Sequence, residues 1–386
     1  MNFRKTEVFL EKFSKDYQIP ACDLKVMQDH HCIFRCMKGY RDKDKTKPVS
    51  EKDLYDFYSC TKPLTAAAVL RLREMEKLSL EDPVSRYLPE YKDLKVAKDY
   101  VFELEKQNWP DERAEVREAE TEMSVFHLLT MTSGMGYDLN AAPLKRLMQE
   151  NPAPSTREAA AAMARMPLLF DPGKDWLYSL AHDVLGAVIE AASGQSFGEF
   201  LEEEFFAPLG MQHSYMKEED IPFSELSQYY FYEPEKDLVR PIPYKNEHRF
   251  GPRYESGGAG LCATTDDYSL FADMLACGGL AANGKRILSE ESVALMRRDH
   301  LSGKPRKRFS ETNHKGYSYG LGVRTLVDPE SSPSPLQEFG WSGAAGAYAL
   351  FDRKNKLSIT YTQQILNDQQ INDHVHPVIR DLSTLL

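Results

Sequence analysis

A serine and a lysine three residues apart form the most chemically suggestive feature of this sequence. Ser59 and Lys62 stand in the stretch FYSCTKPLTAAAVL, where an aromatic, apolar segment runs into a helical pattern over residues 62–77. Pro63 is compatible with the first turn of that helix, because an N–H there would have no intrahelical partner. Residues three apart on a helix share a face, so the amine of Lys62 can approach the hydroxyl of Ser59. The spacing predicts a nucleophile and its general base; the alternative is a helix N-cap followed by a surface lysine.

The start of a helix is also a favourable electrostatic setting for this pair. The positive end of the helix dipole and burial both disfavour an ammonium, so an amine at Lys62 can act as a base. The first N–H groups of a helix have no intrahelical acceptor, which leaves the N–H of Ser59 free to bind an oxyanion. Ser59 is therefore the candidate nucleophile and also one candidate donor of an oxyanion hole.

Two other serine motifs offer similar chemistry in weaker settings. Ser214 and Lys217 repeat the Ser-x-x-Lys spacing, but they follow Gly210, which ends the preceding helix, so no helical pattern makes them face each other. Ser196 stands in Gly-Gln-Ser-Phe-Gly, formally a nucleophile elbow, but the residues before it are helical where the elbow needs a strand. Ser196 and Glu199 are better explained as a capping box that opens the next helix.

A tyrosine is a suitable third group, because its hydroxyl can pass a proton to the leaving group. Of the twenty tyrosines, two have supporting context. Tyr178 lies between an apolar turn and an amphipathic helix that would anchor it, whereas Tyr244 lies in a charged, proline-rich loop. The context favours Tyr178 as the proton-transfer group.

Other reactive side chains have plainer explanations. Cys60, beside the candidate nucleophile, is interpreted as a packed residue of the first helical turn. His182, one helical turn after Tyr178, is a candidate for the substrate pocket, with a place on the helix surface as the alternative. His374 and His376 have His-x-His spacing without a third ligand nearby, so we predict no metal site there. The aromatic run 229–232 either walls an acyl pocket or packs the helical segment around it.

The elements that must position these residues follow from hydrophobic periodicity and from Pro/Gly punctuation. Strand-like runs cover residues 22–28, 32–38, 316–325, 339–352 and 356–364, and the intervening Asp-His-His predicts a hairpin between the first two. Helical patterns cover residues 3–17, 62–77, 124–134, 155–166, 182–194, 197–211, 266–279, 289–299 and 368–386.

The order of these elements predicts an α+β fold. Helices and strands at both chain ends, with a helix-rich segment between them, imply an antiparallel sheet that the two ends complete together. We predict one lobe from residues 1–80 and 265–386, a helix-rich lobe from residues 81–264, and an active site between the lobes.

Composition and charge narrow the possible partners. The formal net charge of −11 argues against nucleic-acid binding, and the basic segment 303–310 is interpreted as a solvated loop. No run has the length of a membrane span, and charges interrupt the N-terminal segment where a signal peptide needs an apolar core. Six cysteines without paired ligand spacing indicate reduced thiols, so we expect a cytoplasmic protein without disulfides, metal or cofactor.

Six motifs in a fixed order carry a resemblance to a known superfamily. They are Ser59-x-x-Lys62, LLTMTSGM (128–135), DPGKDWLYSLAHDVLG (171–186), PLGMQHS (208–214), GGAGLCATTDDYSLFADML (257–275) and FGWSGAAGAY (339–348). Together they resemble the serine β-lactamase-related hydrolases, which include class C β-lactamases, DD-peptidases and the family VIII carboxylesterases. The resemblance implies a β-lactamase/DD-peptidase-like fold, with helices flanking the antiparallel sheet.

The resemblance also implies roles for single residues. Ser59 matches the acylated serine, Lys62 its general base and Tyr178 the tyrosine that assists proton transfer. The strand motif that is Lys-Thr-Gly in many β-lactamases falls on Trp341, Ser342 and Gly343. The residue after it, Ala344, matches the position whose N–H completes the oxyanion hole with that of Ser59.

Two departures from the β-lactamase pattern bear on the substrate. The motif Tyr-x-Asn is Tyr178-Ser179-Leu180 here, so the amide that would contact a substrate amide is missing at Leu180. Trp341 replaces the lysine that would meet a substrate carboxylate. Both departures resemble the esterase and acyltransferase branch. We therefore expect hydrolysis of a small-molecule ester, with β-lactamase or D-amino-acid peptidase activity, acyl transfer, or a silent binding protein as alternatives.

Overall fold

The computed structural model describes residues 4–98, 109–110, 113–312 and 315–381. The helices in these ranges are α1 (Arg4–Asp16), α2 (Thr61–Glu74), α3 (Val125–Leu129), α4 (Ala142–Glu150), α5 (Thr156–Met163), α6 (Ala181–Ser193), α7 (Phe197–Leu201), α8 (Ala207–Leu209), α9 (Thr265–Ala276), α10 (Glu290–Arg297), α11 (Gly303–Ser310) and α12 (His376–Asp381). The strands are β1 (Ala21–Gln28), β2 (His31–Gly39), β3 (Leu54–Asp56), β4 (Lys95–Ala97), β5 (Val116–Glu118), β6 (Ser214–Tyr215), β7 (Tyr229–Glu233), β8 (Leu238–Ile242), β9 (Cys262–Thr264), β10 (Tyr317–Tyr319), β11 (Arg324–Leu326), β12 (Phe339–Ser342), β13 (Tyr348–Asp352), β14 (Leu357–Thr362) and β15 (Ile365–Leu366).

A large antiparallel sheet joins the two ends of the chain. Its strand order among the described residues is β10-β11-β12-β13-β14-β1-β2. β1 pairs with β14 over six residues, from Asp23 opposite Thr362 to Gln28 opposite Leu357. The first strand of the chain therefore lies beside one of the last strands, which confirms the predicted fold class.

Helices cover both faces of this sheet, because successive residues of its central strands point to opposite sides. Leu350 of β13 packs in one apolar cluster with Leu10 of α1 and Ile379 of α12. Its neighbour Phe351 belongs to the other cluster and contacts the ring of Phe271 in α9. Every residue of β13 and β14 is buried, including the serine and the two threonines that alternate with apolar residues along β14.

The predicted hairpin between β1 and β2 has a turn of two residues. Asp29 and His30 adopt φ values of 46° and 70°, the left-handed conformation that a tight hairpin of this kind needs. Asp273 of α9 fixes this turn, since its carboxylate accepts hydrogen bonds from the backbone N–H of His30 at 3.2 Å and binds the ring Nδ1 at 2.7 Å. The third residue of the predicted connection, His31, already belongs to β2.

Residues 303–310 form α11, so the prediction of a loop there was wrong. Lys304 Nζ and Arg308 lie 2.8 Å and 3.5 Å from the Asp175 carboxylate, and Phe309 is buried against the ring of Trp176. Local composition suggested a solvated segment, but long-range ion pairs and one buried aromatic ring hold it as a helix.

Other predicted elements are divided more finely. The strand pattern 316–325 contains two strands, β10 and β11, and 339–352 is a hairpin of β12 and β13. The final helix begins at Ile371 with a π-helical turn and continues as α12; residues 382–386 lie outside the described residues. The first predicted helix likewise reaches residue 3, which lies outside them.

Two small sheets connect the helix-rich segment to the chain ends. β3 pairs with β9, and β9 pairs with β6, so the strand that leads into Ser59 is fixed by residues 200 positions later. β7 pairs in parallel with β15.

The division into two lobes at residues 80 and 264 stays a prediction. Within the described residues, no helix has both the length and the apolar character needed to cross a membrane.

Candidate active site

Ser59 lies in a tight turn between β3 and α2. Tyr58 before it has φ of 45°, and residues Tyr58–Cys60 form a 3-10 turn that continues into α2. The N-cap of α2 is Cys60, so Ser59 itself is not the cap. A left-handed conformation is uncommon for a bulky residue, and here the turn is held by Thr61 Oγ1, which donates to Tyr58 O at 2.6 Å. Ser59 therefore occupies the middle of a 3-10 turn directly before α2.

The Ser59 hydroxyl contacts both side chains that the sequence predicts as its partners. Lys62 Nζ lies 3.2 Å from Ser59 Oγ, and the Tyr178 hydroxyl donates to Ser59 Oγ at 2.7 Å. Lys62 also donates to the carbonyl of Gly258 at 2.8 Å, and its ammonium lies 4.6 Å from the centre of the Tyr178 ring. Lys62 is 1% exposed, whereas Ser59 and Tyr178 are half-buried. The hydroxyl therefore faces accessible space while the amine lies behind it.

Two aromatic rings stack on Tyr178. The centroid of Tyr137 lies 5.6 Å and that of Trp341 5.7 Å from the Tyr178 ring, with interplanar angles of 11° and 20°. The indole Nε1 of Trp341 lies 3.4 Å from the Tyr178 hydroxyl and donates to it. These contacts hold the ring plane, so the phenolic oxygen stays directed at Ser59.

The end of β12 approaches the turn that carries Ser59. Trp341 and Ser342 belong to β12, and the N–H of Gly343 donates to Ala347 O at 2.7 Å. Cys60 Sγ contacts the carbonyl of Trp341 at 3.5 Å, so the buried thiol packs between the two elements. Ala344 follows on an exposed turn.

Gly343 makes this approach possible, and its replacement is a test of the packing. A Cβ atom at Gly343 would lie 2.3 Å from the carbonyl oxygen of Phe57, a backbone atom that cannot rotate away. We expect Gly343→Ala to push β12 from the turn and to lower kcat/KM by about 10²-fold, with about 1–3 kcal/mol lost from the free energy of unfolding. Activity assays and denaturant melts of the purified variant measure both.

Gly186→Ala is the matched control for this substitution. The Cβ added at Gly186, inside α6, meets a side-chain methyl of Thr156 at 3.3 Å, which can shift. Because alanine favours a helix over glycine by about 1 kcal/mol, the control is expected to keep its stability and activity. Equal behaviour of the two variants would contradict the close approach of β12 to the Ser59 turn.

Two histidines and one aspartate lie close to Lys62. Burial and the Lys62 charge lower the pKa of His248 to about 3 and hold the pKa of His182 well below its ordinary value. Both imidazoles are therefore neutral. The carboxylate of Asp183 is buried and lies on the far side of the Gly258 peptide, and burial raises its pKa.

Tyr137, His248 and Asp183 are site residues that the sequence analysis missed. The Tyr137 hydroxyl lies 3.2 Å from Nδ1 of His248, so the two side chains form the outer wall beside Tyr178. A signal existed for Tyr137, which comes two residues after the motif LLTMTSGM. His248 lies in a charged loop whose sequence carries no periodicity, and only its packing reveals it.

The remaining candidates lie away from the open side of the site. Leu180 and His182 are fully buried; Leu180 packs in the core, and no hydrogen-bond partner reaches either ring nitrogen of His182 within the described residues. Tyr244 packs its ring on Tyr229 at 5.3 Å, and Tyr229 is itself buried. The aromatic run 229–232 thus contributes to packing at Tyr229.

The side chains of the two other serine motifs, at Ser214 and Ser196, bind neighbouring residues of the fold. Ser214 donates to Asp267 at 2.9 Å, while Lys217 lies 3.7 Å from Glu255, so the two side chains have different partners. Ser196 accepts from the N–H of Glu199, whose side chain accepts from the N–H of Ser196. This capping box confirms the interpretation of that motif.

One group of side chains has the composition of a metal site. Ligand atoms of Asp29, His30 and Cys277 lie within 4.8 Å of one another. Each has another partner, however: Asp29 binds Lys356 at 2.8 Å, His30 Nδ1 binds Asp273, and Cys277 Sγ donates to Asp273 at 3.8 Å. Burial also raises the pKa of the Cys277 thiol to about 12. His374 and His376 are separated, since His374 stacks on Tyr17 and His376 binds Gly346 O.

Comparison with known proteins agrees with this geometry. A family model described as Beta-lactamase matches residues 7–382. The chain belongs to the beta-lactamase family. It is 32% identical over 345 residues to an uncharacterized protein of Mycobacterium tuberculosis, with 86% of this chain and 83% of the relative covered. It is 31% identical over 353 residues to the esterase EstB of Burkholderia gladioli, with 85% and 81% covered.

Solved structures support the same fold. EstCE1, described as a hydrolase with promiscuous acyltransferase activity, superposes with a TM-score of 0.78 at 23% identity, and 98% of this chain and 97% of that chain are covered. The predicted superfamily and fold are therefore confirmed. The chain is a member of a beta-lactamase-fold family of serine hydrolases that includes esterases.

Proposed function

We propose that this protein is a serine carboxylesterase that forms an acyl-enzyme on Ser59. The observation that carries the proposal is the convergence of Lys62 Nζ and the Tyr178 hydroxyl on Ser59 Oγ, at 3.2 Å and 2.7 Å. Two groups able to move a proton thus contact one accessible hydroxyl, which is the arrangement that activates a serine nucleophile.

The first half-reaction transfers the acyl group to the enzyme. Lys62, as the neutral amine, accepts the proton of Ser59 while Oγ attacks the ester carbonyl carbon. The backbone N–H groups of Ser59 and Ala344 bind the developing oxyanion. Tyr178 gives its proton to the departing alkoxide and regains one from the Lys62 ammonium, so the C–O bond breaks and an alcohol leaves.

The second half-reaction restores the free serine. Water attacks the acyl carbonyl and gives a proton to the neutral amine of Lys62. Ser59 Oγ then departs with that proton, and the carboxylic acid is released. General acid–base assistance of this kind contributes about 10²–10⁴-fold to the rate.

The substrate preference rests on the neutral, aromatic character of the site. Trp341 stacks on Tyr178 where β-lactamases place a lysine, so a substrate carboxylate would find an indole edge instead of a cation. Ser342 and Gly343 follow Trp341 in the chain, whereas the predicted pocket residues Leu180 and His182 are fully buried. We propose a small-molecule ester as substrate, with no nucleic-acid partner.

A substrate panel tests this preference. We expect p-nitrophenyl butyrate to be hydrolysed with a kcat/KM at least about 10²-fold above that for a chromogenic cephalosporin, because a hydrophobic acyl group needs no cation. The same panel with added alcohol acceptors measures acyl transfer against hydrolysis. Faster turnover of the cephalosporin would overturn the esterase proposal in favour of β-lactamase activity.

We propose the cytoplasm as the location of the enzyme. All six cysteines are free thiols, and all except Cys32 are buried. Free thiols are typical of proteins in a reducing compartment. Fractionation of producing cells with an antibody against the protein measures this directly, and its recovery outside the cytoplasm would contradict the proposal.

A further inference from the structure

A buried carboxylate lies behind Lys62 and is not used by the reaction steps above. Asp183, in the first turn of α6, is 4% exposed. Its Oδ1 accepts hydrogen bonds from the Tyr254 hydroxyl at 2.9 Å and from Ser256 Oγ at 2.5 Å. The segment that begins at Tyr254 therefore wraps around this carboxylate.

The same segment holds the amine of Lys62. Gly258 accepts a hydrogen bond from Lys62 Nζ at 2.8 Å through its carbonyl, while its backbone N–H faces Asp183. Burial raises the pKa of that carboxyl, and its hydrogen bonds and the Lys62 charge oppose the rise. A Cβ placed on Gly258 would lie 2.5 Å from Asp183 Oδ2 and 3.5 Å from Lys62 Nζ. The two side-chain atoms are thus no more than 6.0 Å apart, and Gly258 contacts both.

Among the side chains around Lys62 and Asp183, Asp183 is the group that can supply a negative charge to the amine. His182 and His248 face Lys62 as neutral rings, and the Cys60 thiol beside it is held protonated by burial. The other titratable side chains that face Asp183 among the described residues are Tyr91, Tyr137 and Tyr254, and burial raises the pKa of each hydroxyl. The ring of Tyr178 faces Lys62, with its centre 4.6 Å from Nζ. A buried cation needs a counter-charge, since solvation by water is lost.

We propose that Asp183 is a positioning residue for Lys62, which holds Gly258 so that its carbonyl fixes the amine beside Ser59 and which sets, by its charge, the pH range in which the amine accepts a proton. The inference rests on the proposed function, in which Lys62 is the base. The carboxylate stabilises the ammonium form through space, and its contact with the Gly258 N–H fixes the carbonyl that accepts from Lys62. Asp183 itself does not contact Ser59 or the reacting carbonyl.

The pH dependence of Ser59 reactivity tests this role. Removing one negative charge at about 6 Å is expected to move the acid limb of the profile for Asp183→Asn to lower pH by about half a unit to two units. The rate of Ser59 phosphonylation by a fluorophosphonate, measured across pH, gives this limb without any assumed substrate. A profile that superposes on that of the wild type overturns the inference.

Tyr254→Phe is the matched control, because it removes one hydrogen bond to Asp183 while the negative charge stays. We expect this variant to lose stability and to keep the position of the acid limb. A shift equal to that of Asp183→Asn would show that packing of the segment, and not the charge, sets the profile, and would overturn the inference.

A double-mutant cycle on thermal stability tests the same pair if Asp183→Asn folds poorly. Asp183→Asn is made both in the wild type and in Lys62→Met, where the buried carboxylate has lost its cation. We expect Asp183→Asn to lower the thermal midpoint less in this background than in the wild type, because the charge is then unpaired. Equal losses in both backgrounds overturn the inference. Absence of phosphonylation in the wild type would instead refute the proposed function, while the cycle still reports on the pair.

Discussion

Replacing Ser59 with alanine is expected to abolish fluorophosphonate labelling and to lower ester hydrolysis by about 10⁴-fold or more. The substitution removes the one oxygen on which Lys62 Nζ and the Tyr178 hydroxyl converge, so neither proton-transfer group has a nucleophile to activate. Because an alanine leaves the fold of the turn intact, thermal unfolding should stay close to that of the wild type.

Ser214→Ala is the matched control, since Ser214 repeats the Ser-x-x-Lys spacing with Lys217. Its hydroxyl donates to Asp267, so its loss should cost about 1 kcal/mol of folding free energy and leave labelling unchanged. Labelling that persists in Ser59→Ala and disappears in Ser214→Ala would contradict the assignment of the nucleophile. The comparison therefore distinguishes two identical sequence motifs by their tertiary contacts.

Tyr178→Phe is expected to lower kcat/KM by about 10²–10⁴-fold, because it removes the hydroxyl that passes the proton to the leaving group. The phenyl ring can keep its place between Tyr137 and Trp341, so the stacking is preserved and only the proton path is lost. An ester with a good leaving group, such as p-nitrophenolate, should be affected less than an alkyl ester of the same acid. Parallel assays of the two esters measure this difference.

Tyr244→Phe is the control for this variant. Tyr244 was the competing candidate in the sequence, and its hydroxyl has no hydrogen-bond partner among the described residues. Its ring contacts to Phe223 and Tyr229 survive the substitution, so activity toward both esters should equal that of the wild type. Full activity of Tyr178→Phe toward the alkyl ester would remove Tyr178 from the mechanism.

The proposed ester preference depends on Trp341. Its indole donates to the Tyr178 hydroxyl at 3.4 Å, and the resemblance aligns this residue with the lysine of many β-lactamases. An indole N–H can stabilise a developing phenolate by a hydrogen bond without attracting a carboxylate to the pocket. Under the proposed mechanism we therefore expect Trp341 to support proton transfer and to disfavour anionic substrates.

Much of this protein could be predicted from its sequence where a signal is local. The spacing of Ser59 and Lys62 at the start of a helical pattern brought them within reach of each other, because the helix repeat fixes neighbours three residues apart. The capping box at Ser196 and the strands at both chain ends were predicted for the same reason. Each of these predictions depends on a pattern of residue types over a few positions, and such a pattern can be read from the sequence alone.

Contacts between distant segments were decided only by the tertiary structure. The segment 303–310 looks solvated in sequence but is a helix, because Asp175 and Trp176 bind it from elsewhere in the chain. His248 lies in a loop at residues 246–258 that has no periodic pattern, and the same loop brings Gly258 between Asp183 of α6 and Lys62. The sequence by itself determined the proximity of Ser59 and Lys62 and the antiparallel sheet, whereas the charge environment of Lys62 required the fold, since electrostatic interactions depend on distances in space.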